Sequence, residues 1–222
     1  KKELVVLSIT AILITMKWGG YILAVNLGRV VEASMGYFLS PVINMIGGYL
    51  FFHERISKIK QLAVLFATVG ALYYVFSGDS FPWLGFLVGF TFSAYGIARK
   101  AMSSSAVPGL FIETLILLPF FLVFSIWFYA NFDIAFFNVD IPTDILLFLA
   151  GAVTVVPLAL FNAGAKLLPM TTVGILFLIT PTLQFLVGYY LQNEAINTNQ
   201  LLGFVGVWIG LIMYCYGLIK EK

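Results

Sequence analysis

Apolar residues run through this chain in blocks of about the length a helix needs to cross the hydrocarbon layer, some 20 residues, and the charged and turn-forming residues fall between the blocks. Eight such blocks can be read, at positions 4–26, 30–52, 59–77, 81–98, 107–130, 144–165, 170–192 and 198–218. Each is nearly free of charge and too long for a buried strand, so the pattern predicts an all-α polytopic membrane protein of eight transmembrane helices. Lys1 and Lys2 precede an apolar run as they would in a signal peptide. That run has no Ala-x-Ala site and leads into seven more spans, so no cleavage is expected.

Composition agrees with this reading. Hydrophobic residues make up 61% of the chain and charged residues 10%, against about 25% charge in soluble domains. A single His and the lone Cys215 leave little for imidazole, metal or disulfide chemistry. The net charge of +2 gives no ground for a nucleic-acid partner. The placement of the charges says more. Ten of the twelve basic residues, Arg55, Lys58, Arg99, Lys100 and Lys166 among them, fall at the termini and in alternate loops. The opposite loops hold Arg29 with Asp79, Asp133, Asp140, Asp144 and Glu194. The positive-inside rule then places both termini in the cytoplasm, in a bacterial-type inner (plasma) membrane. The connections are too short for a soluble domain, so function has to reside within the bilayer.

A shift of 140 residues lays Pro41 on Pro181, Gly48 on Gly188, Tyr49 on Tyr189, Glu54 on Glu194, Gly70 on Gly210 and Tyr74 on Tyr214. The second and third spans thus match the seventh and eighth. Matched spans lie an odd number of crossings apart and traverse the membrane in opposite directions, which is an inverted repeat. On this reading residues 1–78 are the last three helices of a first five-helix unit and 79–222 a complete second unit. Two further helices are then expected ahead of Lys1.

Several short segments resemble a known family. They are Ala24-Val25-Asn26, Glu32-Ala33-Ser34-Met35-Gly36-Tyr37-Phe38 with Pro41, Glu54-Arg55, Tyr95-Gly96 with Arg99-Lys100, Ile112-Glu113-Thr114 with Leu117-Leu118-Pro119, Pro157, and Pro181-Thr182. The chain is similar over nearly its whole length to the RarD type of EamA-domain transporters in the drug/metabolite transporter superfamily. The resemblance implies ten helices in two EamA units, a central cavity, and export or exchange of small metabolites or drugs; the inverted repeat adds alternating access, and no cofactor is expected. Lys17-Trp18 stands where the family pattern has Asn-Trp.

Three ionisable residues fall inside spans, where a charge costs at least about 2.5–3.5 kcal/mol unless paired or hydrated. Lys17 lies roughly 14 Å from the outer end of its helix, Glu32 roughly 3 Å from the outer end of the next, and Glu113 roughly 9 Å from the inner end of the fifth. Lys17 is expected to stretch outward and pair with Glu32. Glu113 has no basic residue at its own depth unless Arg99 or Lys100 bends back, which makes it a candidate for solute or proton binding. Asn26, Trp18, Tyr37 and Tyr95 are further lining candidates, as is Tyr21. Pro41, Pro119, Pro157 and Pro181 are expected to kink their spans and free carbonyls toward a cavity. Gly85 with Gly89, Gly206 with Gly210, and Ala63, Ala67 and Ala71 put small residues on one face, for close helix packing or for a homodimer seam. Charges at the His53–Arg55 turn are expected to be solvated.

Other functions fit less well. An enzyme is not expected, since the spans contain no His, no Gly-x-Ser-x-Gly and no metal-spaced cluster. A channel would want a carbonyl filter or a charged ring, and a noncatalytic assembly or sensor protein is the remaining alternative.

Overall fold

The computed structural model describes residues 2–77, 81–132, 136–191, 193 and 197–220, except the side chain of Met35. Lys1, Asp79, Asp133, Gln192, Glu194 and Lys222, all used in the sequence reading, lie outside the described residues. Ten α-helices follow one another: α1 (Lys2–Asn26), α2 (Val30–Gly36), α3 (Ser40–Phe52), α4 (Lys58–Ser77), α5 (Trp83–Ala101), α6 (Ala106–Asn131), α7 (Ile141–Leu167), α8 (Met170–Leu176), α9 (Ile179–Tyr190) and α10 (Thr198–Lys220). No strand interrupts them among the described residues.

Seven described segments are long and apolar enough to cross a bilayer, counting α2 with α3 and α8 with α9 as one span each. The eighth expected span is α5. It has 19 residues and falls short in apolarity because Arg99 and Lys100 end it and Gly, Ser and Tyr occupy its buried face. A helix enclosed by other helices meets little lipid and needs less apolar surface. By contrast, α6 buries only Gly109 and Glu113 and leaves Phe120 and Trp127 exposed. Such a surface is stable against hydrocarbon and not against water. The protein is an integral membrane protein.

The four prolines divide into two kinds. Pro119 and Pro157 sit inside α6 and α7. Pro41 instead stands in the first turn of α3, where a missing N–H costs no helical bond. The break in that span is the 3₁₀ turn Tyr37–Leu39 just before it. Pro181 likewise lies near the start of α9, after a break at Phe177 and Leu178. Both spans are therefore discontinuous at matching positions. Helices α1, α2 and α4 start within about one residue of the places where α7, α8 and α10 start at the 140-residue spacing.

Small residues draw the central helices together. A Cβ at Gly36 would overlap the Gly85 carbonyl, and one at Gly89 would overlap the Gly36 carbonyl, so α2 and α5 touch backbone to backbone. Gly203, Gly206 and Gly210 of α10 face Gly70, Ala63 and Ala67 of α4 in the same way. These stripes are used within the chain. Asp140 caps α7, its carboxylate accepting from the Thr143 amide at 2.8 Å, and the Thr143 hydrogen bonds hold its pKa below the usual value.

Candidate functional site

The buried stripe of α1 recurs every three to four residues: Leu7, Ala11, Ile14, Lys17, Gly20 and Ala24. Lys17 is thus turned into the bundle and is 8% exposed. Its ammonium lies 3.4 Å from the centroid of the Trp18 ring, 5.3 Å from Phe92 and 5.8 Å from Tyr21. The expected pair with Glu32 does not form. Glu32 sits 2.7 Å from Arg29 and accepts from the Leu84 amide at 3.2 Å. One turn separates Arg29 from Glu32 on the same helix face, whereas Lys17 points inward among rings.

Those rings line a cavity of about 330 Å³ bounded by α1, the 3₁₀ turn, α5, α7 and α9. Phe92, Phe161 and Phe177 pack with centroids 4.8–4.9 Å apart, and Tyr37 stands against Phe92 and Phe177. Thr154, Thr180 and Gln184 add polar groups, and among the described residues the Gln184 carbonyl oxygen has no hydrogen-bond partner. The lining has an internal order. Lys17, Trp18, Tyr21 and Tyr37 recur 140 residues later as Pro157, Leu158, Phe161 and Phe177, and all eight line this one cavity. Phe161, Phe177 and Gln184 were not singled out from the sequence. The spacing that pairs Pro41 with Pro181 would have found the first two.

The second buried cluster surrounds Glu113, which is 2% exposed. Thr10 Oγ1 donates to Oε1 at 2.6 Å and Tyr95 Oη to Oε2 at 3.3 Å. Asn162 Nδ2 donates in turn to Tyr95 Oη at 2.7 Å. Arg99 bends back from the end of α5, fully buried, and its Nε lies 3.7 Å from Glu113. Its Nη2 donates to the Ser105 and Ala106 carbonyls, and Gly109 leaves it room, since a Cβ there would overlap the guanidinium. Of the two bases that could have reached Glu113, Arg99 does. Tyr95 belongs to this cluster and not to the cavity lining. Asn26 belongs to neither, being exposed and bonded to its own helix at Ile22.

Lys100 turns the other way, to Glu54 at 3.1 Å. Glu54 also accepts from the Met170 and Thr171 amides at 2.8 and 3.3 Å. It therefore caps the first turn of α8 from across the molecule and is not a solvated charge, unlike its exposed neighbours His53 and Arg55. Replacing Glu54 with Gln removes the charge from both contacts and is expected to destabilise the protein by about 1–3 kcal/mol. Thermal melting of Glu54→Gln beside Lys100→Gln checks this: if the pair matters, the double variant loses less than the sum.

A bundle of lipid-facing helices with two broken spans meeting at a partly open cavity that carries polar groups is the architecture of membrane transporters. The sequence profile of the EamA-like transporter family matches residues 81–216. The chain is 37% identical to an uncharacterized transporter of Pseudomonas aeruginosa, over 97% of this chain and 72% of that protein. It is 35% identical to the uncharacterized transporter YojE of Bacillus subtilis, with the same coverage, and 33% identical to Protein RarD of Escherichia coli over all of this chain and 75% of that one. This chain belongs to the EamA-like family, as a RarD-type member of the drug/metabolite transporter superfamily.

Proposed function

We propose that the protein moves a small metabolite or drug-like solute by alternating access, holding it in the cavity between α1 and α7. The observation that carries this reading is the lining itself: four residues and the four that stand 140 positions later all line one space. Two inverted halves that exchange conformations would expose a space on their shared axis to each side in turn. On the same reading residues 1–78 supply three helices of one unit and 79–222 the second unit, both termini are cytoplasmic, and Glu54 fastens the cytoplasmic ends of the two units together. Glu113 is assigned to the framework, as the counterion of Arg99. One relative, of Pseudomonas aeruginosa, is named a chloramphenicol-sensitive protein, which makes chloramphenicol one solute to try.

Filling the cavity tests the proposal. Sealed vesicles containing the full protein are loaded with a metabolite extract plus chloramphenicol, and exchange is followed by mass spectrometry. At least one solute is expected to move through the parent and not through Thr180→Trp, with both proteins equally abundant and equally stable. Identical exchange profiles for the two would refute the assignment of the cavity. Orientation is checked with Asp140→Cys in a Cys215→Ser background: an impermeant thiol reagent added to intact cells should label it, and labelling only after permeabilisation would reverse the topology.

A further inference from the structure

We propose that the cavity takes an organic anion, a small carboxylate-bearing molecule with a flat or short apolar body, and that Lys17 binds its carboxylate; this rests on the cavity being the solute site. Among the described residues that line the cavity, Lys17 is the one that is charged. Among the described residues no salt bridge joins it to a carboxylate. The acids within the bundle are committed elsewhere: Glu32 to Arg29 and the Leu84 amide, Glu113 to Arg99, Thr10 and Tyr95, and Glu54 to Lys100 and the α8 amides. The contact with Trp18 recovers only part of what it costs to take an ammonium out of water. An anion brought beside Lys17 would recover the remainder, because around a side chain only 8% exposed the attraction is stronger than in water.

The rest of the lining sets the shape of the occupant. At about 330 Å³ the cavity is at the small end of ligand sites. Phe92, Phe161 and Phe177 form an aromatic wall that starts beside the charge, with Phe92 5.3 Å from the ammonium, suited to a ring or a short alkyl chain. A cation set among rings selects an amphipathic acid over its neutral amide of the same shape.

The test compares acids with their amides. Purified full protein is melted with benzoate, phenylacetate and hexanoate, and with benzamide, phenylacetamide and hexanamide. At least one acid should raise the melting temperature saturably and its amide should not. Lys17→Arg should keep the effect, and Lys17→Met, melting no lower than the parent, should weaken it by about tenfold or more. A second readout does not depend on Lys17→Met folding: the effective acid should slow alkylation of Thr180→Cys, in a Cys215→Ser background, and its amide should not. The proposal is overturned if no acid in the panel protects, if inorganic phosphate alone protects as well as the acids, or if Lys17→Met is protected as strongly as the parent. Equal protection by acids and amides would remove the anion and leave the cavity as a solute site. Protection of Thr180→Cys by nothing in the panel, together with identical exchange by the parent and Thr180→Trp, would remove both.

Discussion

Replacing Glu113 with Gln is expected to destabilise the protein by about 3–5 kcal/mol, the usual consequence of leaving one member of a buried ion pair alone. The amide keeps the shape and can still accept from Thr10, but the Arg99 guanidinium, fully buried, loses its carboxylate. Arg99→Gln should do comparable damage, and the double variant should lose less than the two single losses combined, because neither charge is then stranded. Melting of the four proteins in detergent reads this directly. If Glu113→Gln instead melts with the parent but its transport no longer responds to pH, Glu113 is a proton carrier and the framework assignment is wrong.

The second large effect is expected from a single methyl group. Gly36→Ala places a Cβ on the Gly85 carbonyl, and Gly89→Ala places one on the Gly36 carbonyl. Overpacking usually costs about 1–3 kcal/mol because side chains give way. Here the obstacle is backbone on both sides, so α2 and α5 must separate and the cost should be at the upper end or beyond. Gly151→Ala is the control, since nothing lies within 4 Å of a Cβ there, and the smaller helix-propensity effect should leave it at or above parental stability. Poor membrane yield and early melting for the first two variants, with the third unaffected, is the expected outcome. Parental behaviour of Gly36→Ala would mean that the helices do not approach this closely.

The membrane class, the span count and the family could be read from the chain because bilayer thickness imposes a length and an apolarity that no other fold demands. The α5 span was recognisable by its length even though its apolarity is diluted by the residues it buries. Side-chain pairing could not be read in the same way. An outward-stretching Lys17 could approach Glu32 on depth alone, but depth ignores the azimuth around the helix. The three-to-four-residue stripe from Leu7 to Ala24 turns Lys17 inward, while Arg29 is already one turn from Glu32. Arg99 shows the opposite case. It was counted among the loop charges, yet Gly109 opens a hole that admits its guanidinium beside Glu113, and a hole is a property of packing. The prolines at 41 and 181 marked the right places for the wrong reason, since the spans break just ahead of them.

Alternating access as proposed requires the cavity to open to one side of the membrane at a time, and Thr180→Cys in a Cys215→Ser background tests this most directly. In sealed vesicles an impermeant thiol reagent should label this position from either side when the protein is free to move. Once the protein is locked by a cross-link between cysteines replacing Glu54 and Met170, which hydrogen-bond at 2.8 Å, labelling should persist from one side only, the outer side on the proposed topology. Labelling of the locked protein from both sides would describe a continuous pore, and labelling from neither side in the free protein would mean that the cavity is never reached by solute; either result contradicts the account.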